Sequence, residues 1–355
     1  MKRVIILGAG FAKAVGNLPL TSEMFDRFEQ VLEECRVQKH NNQVIWGDKI
    51  FEFLHSLERQ LTPHGFRNAD VTVMSTDFRR NFEHVLTLID MNGDLEITVK
   101  ADDGTKQYDI AGYALSPVAP WSWLRGWMAT YIYLALVNPC VNNVLLERFR
   151  QQFLSSDTTV ITFNYDLILE RFLFKEGLWS PHDGYGVQVQ VQEAKQPIED
   201  NHTSIPILKL HGSLNWEREV GGRLTLSWHD DHQQPFFPGY LKNDRGLSFD
   251  YQGAHSPKAW ILPSWVKPIE TSPLPIVWRR AARALEEADD ICVIGYSLPP
   301  ADAAVISLLS CVKFKCGRMR LIDPNANSMA ERYTQITGLD VTVHSRTIEE
   351  TLSEE

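Results

Sequence analysis

Five short stretches carry the residues that could do chemistry: Gly8-Ala9-Gly10, Asn164-Tyr165-Asp166, His211-Gly212-Ser213, Gly295-Tyr296-Ser297 and Asp323-Pro324-Asn325. Paired glycines let a ligand approach the backbone, and amide hydrogens at a helix start attract an anion such as a pyrophosphate. A carboxylate accepts from ribose hydroxyls, an amide holds a polar group, and an imidazole takes a proton. Each stretch alone also reads as a plain turn, because Gly, Asn and Asp are turn formers and a lone His is usually structural. Together the five describe a nucleotide site with a polar catalytic end.

The elements that must position them follow from the flanking pattern. Val4 to Leu7 is an unbroken aliphatic run, as in a strand buried on both faces, and Phe11 to Val15 opens a helix. The glycines stand at 8, 10 and 16, with Lys13 where the third glycine of a dinucleotide fingerprint would be, so the fingerprint is incomplete. Strands are predicted at Thr158–Phe163, Ile205–Leu210, Asp290–Ile294, Met319–Ile322 and Val341–His344, with a short one at Ala259–Leu262. Helices are predicted at Leu167–Phe174, Ile276–Ala288 and Ala301–Leu309, and over a long region from about 121 to 154. Strands alternating with helices imply an α/β fold, a Rossmann-like doubly wound parallel sheet that binds its ligand beyond the carboxyl ends of the strands. The reading is one domain over 1–355, with a mostly helical, hairpin-containing insertion at 25–119 and a loop-rich insertion at 217–257.

The chain has 355 residues, 44% hydrophobic and 23% charged, which is ordinary for a soluble globular protein. A formal net charge of -10 without a basic run disfavours nucleic acid as a direct ligand. Five scattered cysteines with no Cys-x-x-Cys pair suggest reduced thiols in a cytoplasmic protein and no four-cysteine zinc site. Gly126 to Val137 is apolar but shorter than the roughly 20 residues a membrane span needs. Trp228-His229-Asp230-Asp231-His232 has metal-ligand chemistry, but consecutive residues seldom face one ion, so no metal is expected.

Gly8-Ala9-Gly10, Thr162-Phe163-Asn164-Tyr165-Asp166, Lys209-Leu210-His211-Gly212-Ser213 and Ile294-Gly295-Tyr296-Ser297-Leu298-Pro299 resemble, in order, the motifs of the sirtuin-like family. Phe82-Glu83 and Leu214-Asn215-Trp216 make the resemblance closer to a prokaryotic branch found in antiphage defence. The resemblance implies an NAD+ pocket. In it Asn164 would hold the nicotinamide-side ribose or orient the attacking water, Asp166 would support that loop, and His211 would be the general base. Gly8, Ala9 and Gly10 would receive the pyrophosphate, with Phe11 in the same cofactor-binding set. Gly295, Ser297, Asp323 and Asn325 would lie under the adenosine.

The implied activity is NAD+ hydrolysis to ADP-ribose and nicotinamide by a defence effector, with NAD+ as substrate and no metal. Deacylases of the family carry a serine where this chain has Ala12, a Pro-x-Phe-Arg element where it has Pro19-Leu20, and a four-cysteine zinc module. Lysine deacylation is therefore the weaker rival. A nucleotide sensor or assembly subunit that kept the pocket and lost turnover is the other. An unrestrained hydrolase would drain its own cell, so a homo-oligomer or a partner, such as an ATPase or another defence protein, is expected to restrain it. Trp216, Trp228, Phe236, Phe237 and Tyr240 would supply a lid or a subunit contact.

Overall fold

The structure, a computed structural model, describes residues 1–24, 139–187, 204–218, 273–299, 302–312 and 316–353, with shorter stretches at 82–83, 86–87, 90, 109–110, 113–114, 132, 135–136, 189–192, 224–228, 240–243, 246–249 and 261. Most of the expected 25–119 insertion lies outside the described residues, as do Phe236 and Phe237. Six parallel strands make the main sheet: β1 Arg3–Leu7, β2 Thr158–Thr162, β3 Ile207–Lys209, β4 Asp290–Ile294, β5 Arg318–Ile322 and β6 Val341–His344. Their spatial order is β6-β5-β4-β1-β2-β3. The chain winds outward in one direction to β3 and in the other to β6, so the order reverses between β1 and β4.

The helices are α1 Ala9–Gly16, α2 Asn143–Phe153, α3 Ile168–Lys175, α4 Leu274–Glu287, α5 Ala303–Leu309, α6 Ala326–Thr337 and α7 Ile348–Ser353. α1, α2, α3 and α7 contact one another, while α4 packs on α5 and α5 on α6. Covered in this way, the middle strands are dry: Val4 to Leu7 are 0–2% exposed, and every residue of β4 is buried. That burial explains their unbroken aliphatic runs.

Register brings the five polar stretches to one edge. Leu7 lies opposite both Ile294 and Thr162, Thr162 opposite Lys209, and Ile294 opposite Ile322. The residues that follow these therefore emerge side by side at the carboxyl end of the sheet.

The opposite edge carries a charge cluster. The Asp290 carboxylate, fully buried, accepts from Arg3 Nε at 2.8 Å and Arg320 Nη2 at 2.9 Å, and faces Arg318 Nε at 3.3 Å. Three guanidiniums on one carboxylate tie β1, β4 and β5 at their starts. Asp290→Asn is expected to cost about 1–3 kcal/mol, because the guanidiniums lose an anion yet keep some water. Chemical denaturation checks this, and an unchanged midpoint would show the cluster to be dispensable.

Three expectations change. The helical region from about 121 to 154 is interrupted at residues 139–142, where Pro139 supplies no amide hydrogen and the Asn142 side chain caps α2 by accepting from Leu145 N at 3.1 Å. The break docks on α1, with Cys140 N donating to Gly16 O at 2.9 Å and Asn142 N to Val15 O at 2.8 Å. Second, strands run through the stretch read as loop. Leu224–Ser227 pairs with Trp216–Arg218 and Gln190–Gln192, and Tyr240–Asn243 pairs with Gly246–Phe249. Leu226 and Trp228, two apart, are buried, a period too short to stand out among polar neighbours. Ile261, inside the predicted strand at Ala259–Leu262, is not in a strand but donates its amide to His211 O at 2.8 Å.

Candidate functional site

The turn after β1 crosses the turn after β4 at close range. Gly8 N donates to Ile294 O and Gly10 N to Gly295 O, both at 3.0 Å. A Cβ on Gly8 would stand 2.3 Å from Gly295 O, and one on Gly10 2.8 Å from Gly295 Cα. Gly295 itself sits at φ +62, where side chains are strained. The glycines are thus required by two backbones meeting, and this corrects the simple picture of a row of amides facing an anion. Phe11 N also turns inward, to Gly8 O at 3.1 Å. Of the amides from Gly8 to Phe11, that of Ala9 in the first turn of α1 is the one without an acceptor among the described residues. The Phe11 ring, 3% exposed, packs 4.7 Å from the Phe149 ring.

Asn164 and His211 leave the neighbouring ends of β2 and β3. Asn164 Nδ2 donates to Gly8 O at 2.9 Å, and its backbone N donates to Thr162 Oγ1 at 3.1 Å. A carbonyl can only accept, so this bond fixes the amide orientation and leaves Oδ1 as the acceptor available to a ligand, beside the second Nδ2 hydrogen. His211 is 6% exposed, its ring 5.2 Å from that of Phe163 and 6.2 Å from that of Tyr165. Gly212, at φ +82, turns the chain directly after it.

Beneath both residues lies a buried polar network. Lys209 Nζ, on a side chain 1% exposed, donates to Glu170 Oε1 at 2.7 Å and to Asp166 O. Asp166 Oδ1 accepts from Ile168 N, the first residue of α3, at 3.1 Å. Tyr185 Oη, with one hydrogen to donate, lies 3.4 Å from both Glu170 Oε1 and Asn215 Oδ1. Burial raises both the Glu170 and the Asp166 carboxyl above the usual range, and Lys209 opposes the rise. Lys209 lies two residues before His211, and Asp166 two after Asn164, so one ammonium group ties the two loops together.

On the other side of the switch point the Tyr296 ring stacks on Phe163 with centroids 4.2 Å apart, and its hydroxyl donates to Asp302 Oδ2 at 2.5 Å. Burial pushes the Tyr296 hydroxyl well above its ordinary range, with Asp302 adding to the effect, so it stays a donor. Asp323 Oδ1 accepts from Asn325 N at 2.7 Å, and half-burial raises its carboxyl.

One cavity of about 1190 Å³ joins these parts. Its lining includes Ala9, Gly10, Asn164, Asp166, His211, Gly295, Ser297, Asp323 and Asn325. The volume exceeds the ~300–1,000 Å³ of ordinary small-molecule clefts, so a dinucleotide has room. Sequence reasoning missed the Lys209–Glu170 pair and Asp302, whose signals were a Lys and two acids inside otherwise apolar stretches. Glu349 also lines the cavity, with Thr347 and Ile348. Trp216 and Trp228, expected in a lid or subunit contact, are 0% and 3% exposed. They are core residues instead, Trp228 against Trp179 and Trp216 against Tyr185. No helix among the described residues is long and apolar enough to cross a membrane.

A doubly wound parallel sheet with a cavity over its reversal point is a Rossmann-type α/β fold. A family model described as a SIR2-like domain matches residues 158–246, from β2 through β3 to the hairpin beyond. Among solved structures, a mutant Sir2 homologue in complex with ADP-ribose aligns over 99% of this chain and 89% of its own, at 17% identity and a TM-score of 0.38. A Sir2 homologue in complex with NAD aligns over 99% of this chain and 86% of its own, at 18% identity and a TM-score of 0.40. No curated protein sequence matches.

Proposed function

We propose that the protein is an NAD+ hydrolase that cleaves the nicotinamide–ribose bond. The observation that carries this reading is one cavity lined by both Asn164 and His211 and by the Ala9-Gly10 turn across the sheet's reversal point. Residues of this kind fit a dinucleotide. The Ala9 amide at the start of α1 and the Lys13 ammonium suit a pyrophosphate, and the Gly8–Gly295 crossing keeps the backbone low enough to admit it.

In the proposed reaction the bond between ribose C1′ and the nicotinamide nitrogen breaks, and its electron pair leaves with neutral nicotinamide. Water oxygen bonds to C1′, giving ADP-ribose, and the water proton passes to His211 and then to solvent. Asn164 Oδ1, fixed by the bond of Nδ2 to Gly8 O, accepts from that water or from the adjoining ribose hydroxyl. Positioned donors and acceptors of this kind typically contribute about a hundredfold or more each.

The test is incubation of purified protein with NAD+ and measurement of free nicotinamide. Steady release without an acylated peptide is the expected result. Absence of release would favour a binding module, for which Ala12 argues, since its methyl lines the cavity where a hydroxyl would serve a ligand better. Release that needs the peptide would make the protein a deacylase. On the sequence resemblance we extend the proposal to a cytoplasmic defence effector held in check by self-association or a partner. Phage challenge of cells carrying the wild type or His211→Ala tests this, with protection by the wild type alone expected.

A further inference from the structure

We propose that Tyr165 is a positioning residue for His211, its hydroxyl anchoring a backbone residue that in turn holds the histidine main chain. This inference rests on the reading above and deepens it, since it concerns how the base of that site is kept in place. Tyr165 Oη donates to Ile261 O, and Ile261 N donates to His211 O at 2.8 Å. Ile261 is 1% exposed and lies 96 residues beyond Tyr165, so a distant piece of chain is fastened between the tyrosine and the histidine. The Tyr165 main chain grips the same loop. Its carbonyl accepts from Leu214 N at 3.0 Å and from Ser213 Oγ at 3.4 Å.

His211 stands beyond the ladder that holds the rest of its strand. β3 ends at Lys209, opposite Thr162, and Gly212 at φ +82 turns the chain just after the histidine. The rings of Phe163 and Tyr165, at 5.2 and 6.2 Å, confine the imidazole, while hydrogen bonds set the place of the loop that carries it. Burial pushes the Tyr165 hydroxyl well above its ordinary range, with Asp302 and Glu83 adding to the rise, so it stays a donor. A phenylalanine would fill the same space, yet it would leave the buried Ile261 carbonyl short of a donor. A base must reach its proton at hydrogen-bond distance, and a displacement of about 1 Å can cost about a hundredfold in rate. Tyr165 also follows Asn164 directly, so the clasp sets the spacing of the two groups that the proposed reaction uses.

Tyr165→Phe in the purified full chain tests the inference, since it keeps the ring and removes the bond to Ile261 O. Amide hydrogen exchange at Ile261, read by NMR without any substrate, should speed up at least about tenfold as the clasp loosens. The kcat for nicotinamide release should fall at least about tenfold, with KM for NAD+ and calorimetric affinity for ADP-ribose within about twofold of the wild type. In a His211→Ala background the same substitution should change the residual rate by less than about twofold, because nothing is left to position. Unchanged exchange, or an unchanged kcat, would overturn the inference and leave the hydrolase reading standing. So would weakened ADP-ribose binding, which would make the hydroxyl a ligand contact, or a full further loss in the His211→Ala background. No release from the wild type would overturn the hydrolase reading and the inference with it.

Discussion

His211→Ala and Asn164→Ala are each expected to lower nicotinamide release from NAD+ by at least about a hundredfold, the usual effect of losing a positioned base or polar stabiliser. The two losses should differ in kind. His211 is the imidazole on the lining, so its removal takes away the proton acceptor, and turnover should fall with little change in ADP-ribose affinity. Asn164 has a double task. Its Nδ2 holds the Gly8 carbonyl at 2.9 Å while Oδ1 serves the ligand. Asn164→Ala should therefore weaken ADP-ribose binding as well as turnover, and cost about 1 kcal/mol of stability for the lost hydrogen bond. His211 sits among aromatic rings, so His211→Gln is the better control for packing. It keeps bulk and polarity, removes the base, and should be as inactive as the alanine. Near-wild-type nicotinamide release from any of these variants, measured on protein with an unchanged melting profile, would remove that residue from the mechanism.

What could be read in the sequence is what burial writes in a local pattern. Val4 to Leu7 and Asp290 to Ile294 are buried on both faces, so their aliphatic runs marked strands within a residue of their observed ends. The polar stretches directly after such runs were legible for the same reason: a parallel sheet sends every strand end to one edge. Geometry between distant residues was not legible. Nothing in Gly8 announces that its neighbour is Gly295, and the glycine pattern reads equally as anion cradle or close backbone crossing until the two turns are seen together. Nothing within the strand Ile205–Leu210 says what a lysine does there, and only the position of Glu170 one helix turn beyond Asp166 explains why Lys209 is buried. Trp216 and Trp228 were read as surplus apolar surface because their partners, Tyr185 and Trp179, belong to another segment.

The Lys209–Glu170 pair leads to the largest expected loss of stability. The two side chains are 1% and 3% exposed and their charged atoms are 2.7 Å apart. Removing one member of a buried pair strands the other, at a cost on the order of 3–5 kcal/mol. Lys209→Met fills most of the space of the lysine stem, so the loss is one of charge more than of volume.

Its dependence on pH identifies the cause. Burial already raises Glu170 above its ordinary 4.5 and Asp166 above 3.8, and Lys209 is the leading group that opposes both. Without the ammonium both should rise further. An acid whose folded value lies above its unfolded one gives stability that is present at low pH and lost as pH rises through the folded value. Lys209→Met should therefore sit closer to the wild type at pH 5 than at pH 8 in denaturation midpoints. An equal loss at the two pH values would assign the effect to packing. Lys209→Met combined with Glu170→Met removes both charges, and should recover much of the stability lost by the single variant. Activity should not return with it, because the ammonium also holds the Asp166 carbonyl and so joins the Asn164 loop to the strand that carries His211. A double variant as stable and as active as the wild type would show that the pair supports the fold without aligning the site.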